Sequence, residues 1–559
     1  MKAREYYDLC QSLLASADQD RSEWEVLVRK VFPEILNSAH LRDRNQKVDR
    51  TRLCSHARVD VQKLSSVVMS YIYPMGHRWF RFDSWNVGAS KKQRRGEDSW
   101  YAEASQVAFR EIERSNFYTT AQTASLDWAA TGTGLILTSM DETYKVLVFT
   151  HVPAGTFGLA EDANHNIISV ARKFLMTPAQ LDETMGYENL TDRMRSDWKD
   201  PNKRYTETHE VWHLVTPRFS TGNTRMSDLL PTARPWASVY MPADEPCIMK
   251  EDGYYEMPYM AMRFCKLGSR VYGSSPLKNV EDTIDDLMAA NDVVKILGQR
   301  AAIPSVVIPA DMEGQVDLRA GGQTLLPVQY TNSHVPRELA PVGNYQLALD
   351  QVRRLEEEID DATYVSMLQN ISKIDRYMSA TEVSAREAEK IMTFSPAFTQ
   401  MQADFRPLAN RLFALLVRSE KLDMESAPKS VKFYDNQSKQ EYIIPPRLAF
   451  IGRMSQAMDR VQSNGSQSWI GMMMQCMANT QDPRWISCVD VQAFSRGEAQ
   501  KMGIDNDYLL SPDEENKVLA ALEAKAQQQS QSLMMEQQAK ANRDNATAQN
   551  QLMQYQQTL

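Results

Sequence analysis

From Ser274 to Glu420 the apolar residues fall into long one-sided helical patterns, and the rest of the chain reads as their support. A first helix is predicted from Ser275-Pro276, where a serine hydroxyl can bond a free N–H and proline costs nothing at the first position. Gly298 is its predicted end. Leu277, Val280, Ile284, Leu287, Asn291, Val294 and Leu297 recur three and four apart, a single narrow seam along a helix of roughly 30 Å. Glu281, Asp282, Asp285, Asp286 and Asp292 occupy the remaining faces against only Lys278 and Lys295. A second helix, from about Asn344 to Gln369, repeats the design with Ala348, Val352, Leu355, Ile359 and Ala362 as its seam. Its polar faces carry Asp350, Glu356, Glu357, Glu358, Asp360 and Asp361 against Arg353 and Arg354.

Between these helices Ser305–Ile308 and Gln323–Leu326 are short β-type runs set among prolines and glycines. Residues 370–378 break the helical period and are predicted as a loop carrying Lys373, Asp375, Arg376 and Tyr377. Ser379-Ala-Thr-Glu382 then has capping-box spacing, which predicts a third helix. Ser395-Pro396 is expected to kink or break it, because proline removes a ladder bond.

The first 270 residues mix the two periods. Trp24, Leu27, Val28, Val31 and Phe32 form one helical face, and Val59, Val61, Leu64, Val67, Val68 and Tyr71 form a second. Strands are predicted at Trp79–Phe82, Leu135–Leu137, Lys145–Thr150, Ile167–Phe174 and Thr206–Val215, with a helical period from Asp98 to Ala130. Residues 218–270, with five prolines from Pro231 to Pro258, read as sheet edge and connector. After the third helix, Lys429–Ile444 reads as a hairpin, and helices are expected from Leu448 through Met477. Ser511-Pro-Asp-Glu514 opens a last helix. The glutamine-rich end, 521–559, has too few apolar side chains for a core of its own, so it is either disordered or a helix packing against copies of itself.

Composition narrows the class. With 43% hydrophobic and 24% charged residues this is an α+β, mainly helical folded chain, and no apolar run approaches the roughly 18 residues of a membrane span. The N-terminus lacks the apolar core of a secretory signal, so the chain is expected to stay in the cytosol where it is made. Six scattered cysteines without a C-x-x-C pair predict reduced thiols. A net charge of −9 argues against tight binding to phosphates, which needs clustered Lys and Arg.

Candidate chemistry thins on inspection. Thr131-Gly-Thr-Gly134 lacks the G-K-[ST] ending of a phosphate loop, and the glycines are expected to let a helix turn tightly into a strand. Asp162-Ala-Asn-His-Asn166 has Ile167 where a calcium loop needs glycine, and reads as a hairpin turn. His209-Glu-Val-Trp-His213 matches H-E-x-x-H, but β-forming neighbours place it on a strand, where residues four apart lie roughly 13 Å from each other. A metal-dependent hydrolase or nuclease using these histidines or the paired acids is the alternative reading. No catalytic or metal-binding residue and no cofactor is assigned.

Helix, β insert, helix, loop and helix in that order resemble the stem, clip, tunnel loop and wing helix of phage portal proteins, in particular the head-to-tail connectors of short-tailed phages. The segments carrying the resemblance are Tyr73–Phe80, Ser115–Tyr118, Thr131–Gly134, Ser379–Glu382, Ile451–Arg453 and Met502–Asp505. The resemblance implies a wing or base over 1–270, stem helices at 271–300 and 343–369, a clip at 301–342, a tunnel loop at 370–378, a wing helix at 379–425 and a crown at 426–520. It also implies a non-enzymatic ring of twelve copies at one capsid vertex of the virion. Double-stranded DNA would pass through that ring, driven by a separate terminase. Major capsid protein, scaffolding protein and tail adaptor proteins would be its other partners, with no membrane. On that reading Glu281, Asp282, Asp285, Asp286, Glu356, Glu357, Glu358, Asp360 and Asp361 flank the channel and repel DNA, and Lys373 and Arg376 touch it.

Overall fold

The structure, a computed structural model, describes residues 2–39, 52–85, 91–141, 143–218, 231–303, 305–308, 310–314, 316–317, 336–338, 344–366, 380–435, 440–451, 468–480, 489, 494–495, 498 and 512–557. It divides into two units, Met1–Met458 and Asp459–Leu559.

The larger unit begins with helices α1 (Ala3–Val31), α2 (Pro33–Ala39) and α3 (Ser55–Tyr71), strand β1 (Phe80–Asp83), and helices α4 (Lys91–Arg114) and α5 (Phe117–Thr131). β2 (Thr133–Met140), β3 (Leu147–Val152), β4 (Phe157–Glu161), β5 (Ile167–Met176), α6 (Pro178–Met185), α7 (Asp192–Lys199), β6 (His209–Pro217), β7 (Trp236–Pro242), β8 (Lys250–Tyr254) and β9 (Tyr259–Arg263) follow. They form two antiparallel sheets of order β3-β2-β9 and β4-β5-β6-β7-β8. One apolar stripe of α1 serves two cores, one at each half of the helix. Tyr6, Cys10, Leu13 and Leu14 pack on Ala171, Leu214, Val239 and Met241 of the larger sheet, while Trp24, Leu27, Val28 and Val31 enter the main core.

At the centre of that core Trp79 is ringed by Tyr73, Phe80, Phe109, Phe117, Phe405 and Phe450 at centroid distances of 4.7–6.2 Å. Such rings bring large apolar areas together in edge-on and offset contacts. They join β1, α4, α5 and the long helix α10 (Ala380–Arg418), so the segments flanking the stem helices share one core.

The two helices expected to form a stem, called the stem pair for that expectation, are α8 (Glu281–Ala302) and α9 (Tyr345–Ala362). Ser275 accepts from the Leu277 N–H at 3.2 Å and opens a 3-10 turn, Pro276–Val280, that leads into α8. Gly298 does not end the helix; four further residues continue it, since a helical glycine costs only about 1 kcal/mol relative to alanine and helix formers follow. α9 starts as expected, with the Asn344 side chain accepting from the N–H groups of Gln346 and Leu347, but it is interrupted after Ala362; residues 365–366 are helical again, and the predicted end at Gln369 lies outside the described residues. There Thr363 turns its hydroxyl back to the Ile359 carbonyl, and Tyr364 adopts φ +62°, outside the right-handed helix. Ile284, Leu287, Val352 and Ile359 are buried, whereas Val293, Ile296, Tyr345 and Leu347 toward the other end are exposed. Of the two predicted β runs in the insert, Val306-Val307 (β10) pairs antiparallel with Arg337-Glu338 (β11); Gln323–Leu326 lies outside the described residues.

Other expectations need correction. Of the kink or break expected at Pro396, the break is absent: α10 runs through Pro396 and Pro407, its Phe394, Phe398, Met401 and Phe405 held in the core. Residues 218–270 are more than connector: β7 is an interior strand, while β8 and β9 are edges, and prolines merely bound these short runs. Val59 is 45% exposed, off the buried face of α3. The hairpin near residue 440 is present as β12 (Lys432–Asp435) and β13 (Gln440–Ile443). Leu448, however, lies in β14 (Arg447–Phe450), a strand paired with β1, and not in a helix. In the second unit residues 468–480 form α11, and Pro512–Gln557 form α12, a helix whose described side chains are all exposed. The 521–557 segment is thus helical along its described length.

One half-buried acid of α1 gives a pH prediction. Asp20 faces Thr131, Thr133, Phe157 and Tyr272, and burial pushes its carboxyl from 3.8 up to about 6, against a hydrogen bond from Trp24 Nε1–H at 3.2 Å. Between about 4 and 6 the native state keeps a proton that the unfolded chain has released, so this residue's contribution to stability falls as pH rises through that window. Asp20→Asn, which stays neutral, should therefore melt higher than the parent at pH 8, with the gap closing at pH 4. Thermal scans at both pH values check it; an equal gap at both would contradict it.

Candidate functional site

The acidic stem faces predicted from sequence are not uniform. Asp285 reaches across to Lys30 of α1 at 2.6 Å, Asp292 lies 3.6 Å from Arg52, and Glu281 pairs with Lys278 at 2.6 Å. On α9, Asp360 and Glu356 turn toward His56 of α3, at 3.1 and 3.9 Å. Local spacing could show neither Lys30 nor His56, because the partners are 255 and 304 residues away in the chain. Asp282, Asp286, Glu357, Glu358 and Asp361 remain exposed. The predicted faces thus split into acids paired with Lys30, Arg52, His56 or Lys278 and acids left to solvent. Lys373, Asp375, Arg376 and Tyr377 lie outside the described residues, as does Ser379.

His209 and His213 sit on β6, as their neighbours predict. His213 is completely buried, with Nδ1 2.8 Å from the Tyr259 hydroxyl and Nε2 2.9 Å from that of Ser238, and it stacks on Tyr240. Burial, and then the nearby Arg172, hold it well below the ordinary histidine value, so the ring is neutral and spends both nitrogens on the sheet. His209 instead faces Asp197 of α7 at 3.2 Å. The two imidazoles serve different neighbours.

Gly132 caps α5 at φ +92°, and a Cβ there would lie 2.4 Å from the Gly273 carbonyl oxygen. At Gly134 it would lie 2.3 Å from that of Ala124. These glycines permit close backbone contact between helix, strand and the approach to the stem. Asp162–Asn166 is the β4–β5 hairpin turn, the Asp162 carboxylate accepting from the N–H groups of Asn164 and Asn166. Those two bonds and the Asn166 side chain lower its pKa, with no ligand required.

Among the described residues one His/Asp group could meet on a single ion: His56, Asp60 and Asp360, whose ligand atoms all lie within 4.8 Å of one another. Sequence reading took Asp360 as part of a solvated face and passed over the other two. The i, i+4 spacing of His56 and Asp60 on α3 was its sole local signal. The described residues contain no helix long and apolar enough to cross a membrane.

A mainly helical chain with two antiparallel sheets, a pair of acid-bearing helices around a small β insert and a long helix returning to the core has the architecture of a connector subunit. The chain belongs to the bacteriophage head to tail connecting protein family, whose model matches residues 7–510. It is 24% identical over 491 residues to the portal protein of Salmonella phage epsilon15, covering 85% of this chain and 83% of that protein. It is 21% identical over 423 residues to a probable portal protein of Bordetella phage BPP-1, covering 74% and 72%. A chain from the neck of an empty GTA particle, computed with C6 symmetry, aligns over 68% of this chain and 81% of its own at 10% identity. Its TM-score is 0.33, too low to carry an argument.

Proposed function

We propose that this chain is a portal subunit: copies form a ring at one capsid vertex, through which a terminase drives double-stranded DNA and to which tail adaptors later attach. The observation that carries the reading is membership in the head-to-tail connecting family over residues 7–510. The acids left exposed on the stem pair agree with it physically. A duplex carries one charge per about 1.7 Å, and carboxylates facing it let it slide without adhering. Lys373 and Arg376 then supply weak, salt-sensitive contacts between two acidic helices, and the insert around β10 and β11 is the surface that meets terminase and tail. The subunit itself performs no catalysis, and twelve copies close the ring against the major capsid and scaffolding proteins.

Negative-stain microscopy of the purified chain tests the assembly, with rings around a central hole as the expected particle. Lys373→Ala/Arg376→Ala should form the same rings. Virions built with that variant should lose packaged genomes. Compact monomers in the parent would defeat the portal reading; full genome retention in the variant would defeat only the DNA contact.

A further inference from the structure

We propose that His56, Asp60 and Asp360 form a zinc site that bolts the end of the second stem helix to α3. The geometry is close to what the ion needs. His56 Nε2 lies 3.3 Å from Asp60 Oδ2 and 3.1 Å from Asp360 Oδ1. Tetrahedral ligands at about 2.0–2.1 Å from zinc are separated by roughly 3.3 Å, so two of the three edges already have the required length.

A second observation points to a ligand. The Asp60 side chain is wholly buried, and its Oδ1 takes the Lys63 ammonium at 3.0 Å, but Oδ2 has no hydrogen-bond partner. His56 cannot supply one while it serves Asp360, because its single Nε2–H satisfies one carboxylate at a time. A buried carboxylate oxygen without a partner costs free energy, and it is directed at the two other ligand atoms. An ion bound by Nε2, Oδ2 and Oδ1 satisfies all three at once.

The donor set selects the metal. Imidazole with two carboxylates suits zinc, whereas magnesium and calcium take oxygen ligands alone. The side chains of His56 and Asp360 are each about a quarter exposed, 26% and 25%, which leaves a path for entry and a fourth position for water. Glu356 Oε1 lies 3.9 Å from His56 Nδ1, on the other nitrogen's side of the ring. Lys63 is the opposing charge, and it stays on the far oxygen of Asp60.

The experiment uses the full chain, free of any histidine tag and stripped with EDTA. Zinc is then added, and bound metal is measured by mass spectrometry after desalting. One zinc per chain and a higher melting temperature are expected. Asp360→Asn and His56→Gln, both at partly exposed positions, should each reduce zinc affinity at least tenfold while the metal-free circular dichroism spectrum stays that of the parent. Absence of stoichiometric zinc in the parent, or undiminished binding in both variants, overturns the proposal. The outcome is independent of ring formation, so it neither rests on nor tests the portal reading.

Discussion

Gly273→Ala is expected to leave no soluble folded protein. Its new Cβ would stand 2.2 Å from the Gly132 carbonyl oxygen, 2.8 Å from the Phe264 nitrogen and 3.1 Å from the Arg263 Cα, all of them backbone atoms. Three segments meet there: the turn from α5 into β2, the end of β9 and the approach to the stem. They are tied by Phe264 N–H donating to the Gly132 carbonyl and Gly273 N–H donating to the Thr133 hydroxyl, each at 2.9 Å. A flexible side chain could yield, but a backbone junction yields only by breaking those bonds, so the cost should exceed about 4 kcal/mol. Gly96→Ala is the contrast, because no atom lies within 4 Å of its Cβ position on α4. That change should stabilise by about 0.5–1 kcal/mol. Soluble yield and denaturant midpoints of the two variants check the pair. A well-folded Gly273→Ala would show that the junction is looser than its distances.

Asp404→Ala should cost about 3–5 kcal/mol, the usual consequence of stranding one member of a buried ion pair. Asp404 on α10 accepts from the Arg263 backbone N–H at 2.8 Å and from its guanidinium at 2.7 and 3.2 Å. The same guanidinium meets Glu161 of β4, which also takes Lys266 at 2.5 Å. Side-chain exposures of 6% for Arg263 and 2% for Asp404 leave no room for solvent to replace the lost partner. The loss should appear as a lower urea midpoint at unchanged slope. Asp404→Ala combined with Arg263→Met, which removes both charges, should recover much of it. If the single change costs under about 1 kcal/mol, Glu161 alone is holding the arginine.

Sequence periodicity located the two stem helices because each has one narrow apolar seam, and it located β6 because β-formers surround His209. It misjudged their C-terminal parts. Gly298 looks like a stop but is carried by the helix formers after it, and α9 is interrupted where Thr363 and Tyr364 leave the helical backbone. Leu448 was misassigned because a short apolar run is ambiguous, and its partner β1 is supplied by a distant part of the chain. The same limit hid Lys30 opposite Asp285 and His56 opposite Asp360. Which acids are neutralised depends on contacts between remote segments, and no local pattern encodes those. Gly273 was equally invisible: a glycine needed for close backbone approach is spelled like one in a loop.

The stem pair is buried only at one end, with Ile284, Leu287 and Ile359 fully enclosed while Val293, Ile296 and Leu347 stand open. Within one chain that is mechanically a cantilever, held at its root and standing clear toward its tip. A tilt of a few degrees at the root, where α9 meets α3, is carried along the two helices as rigid rods. At the β10–β11 tip it becomes a displacement that grows in proportion to their length. Over roughly 30 Å, a 5° tilt moves the tip by about 2.6 Å. A small rearrangement beside His56 and Asp360 would therefore register most strongly at the end of the stem farthest from it.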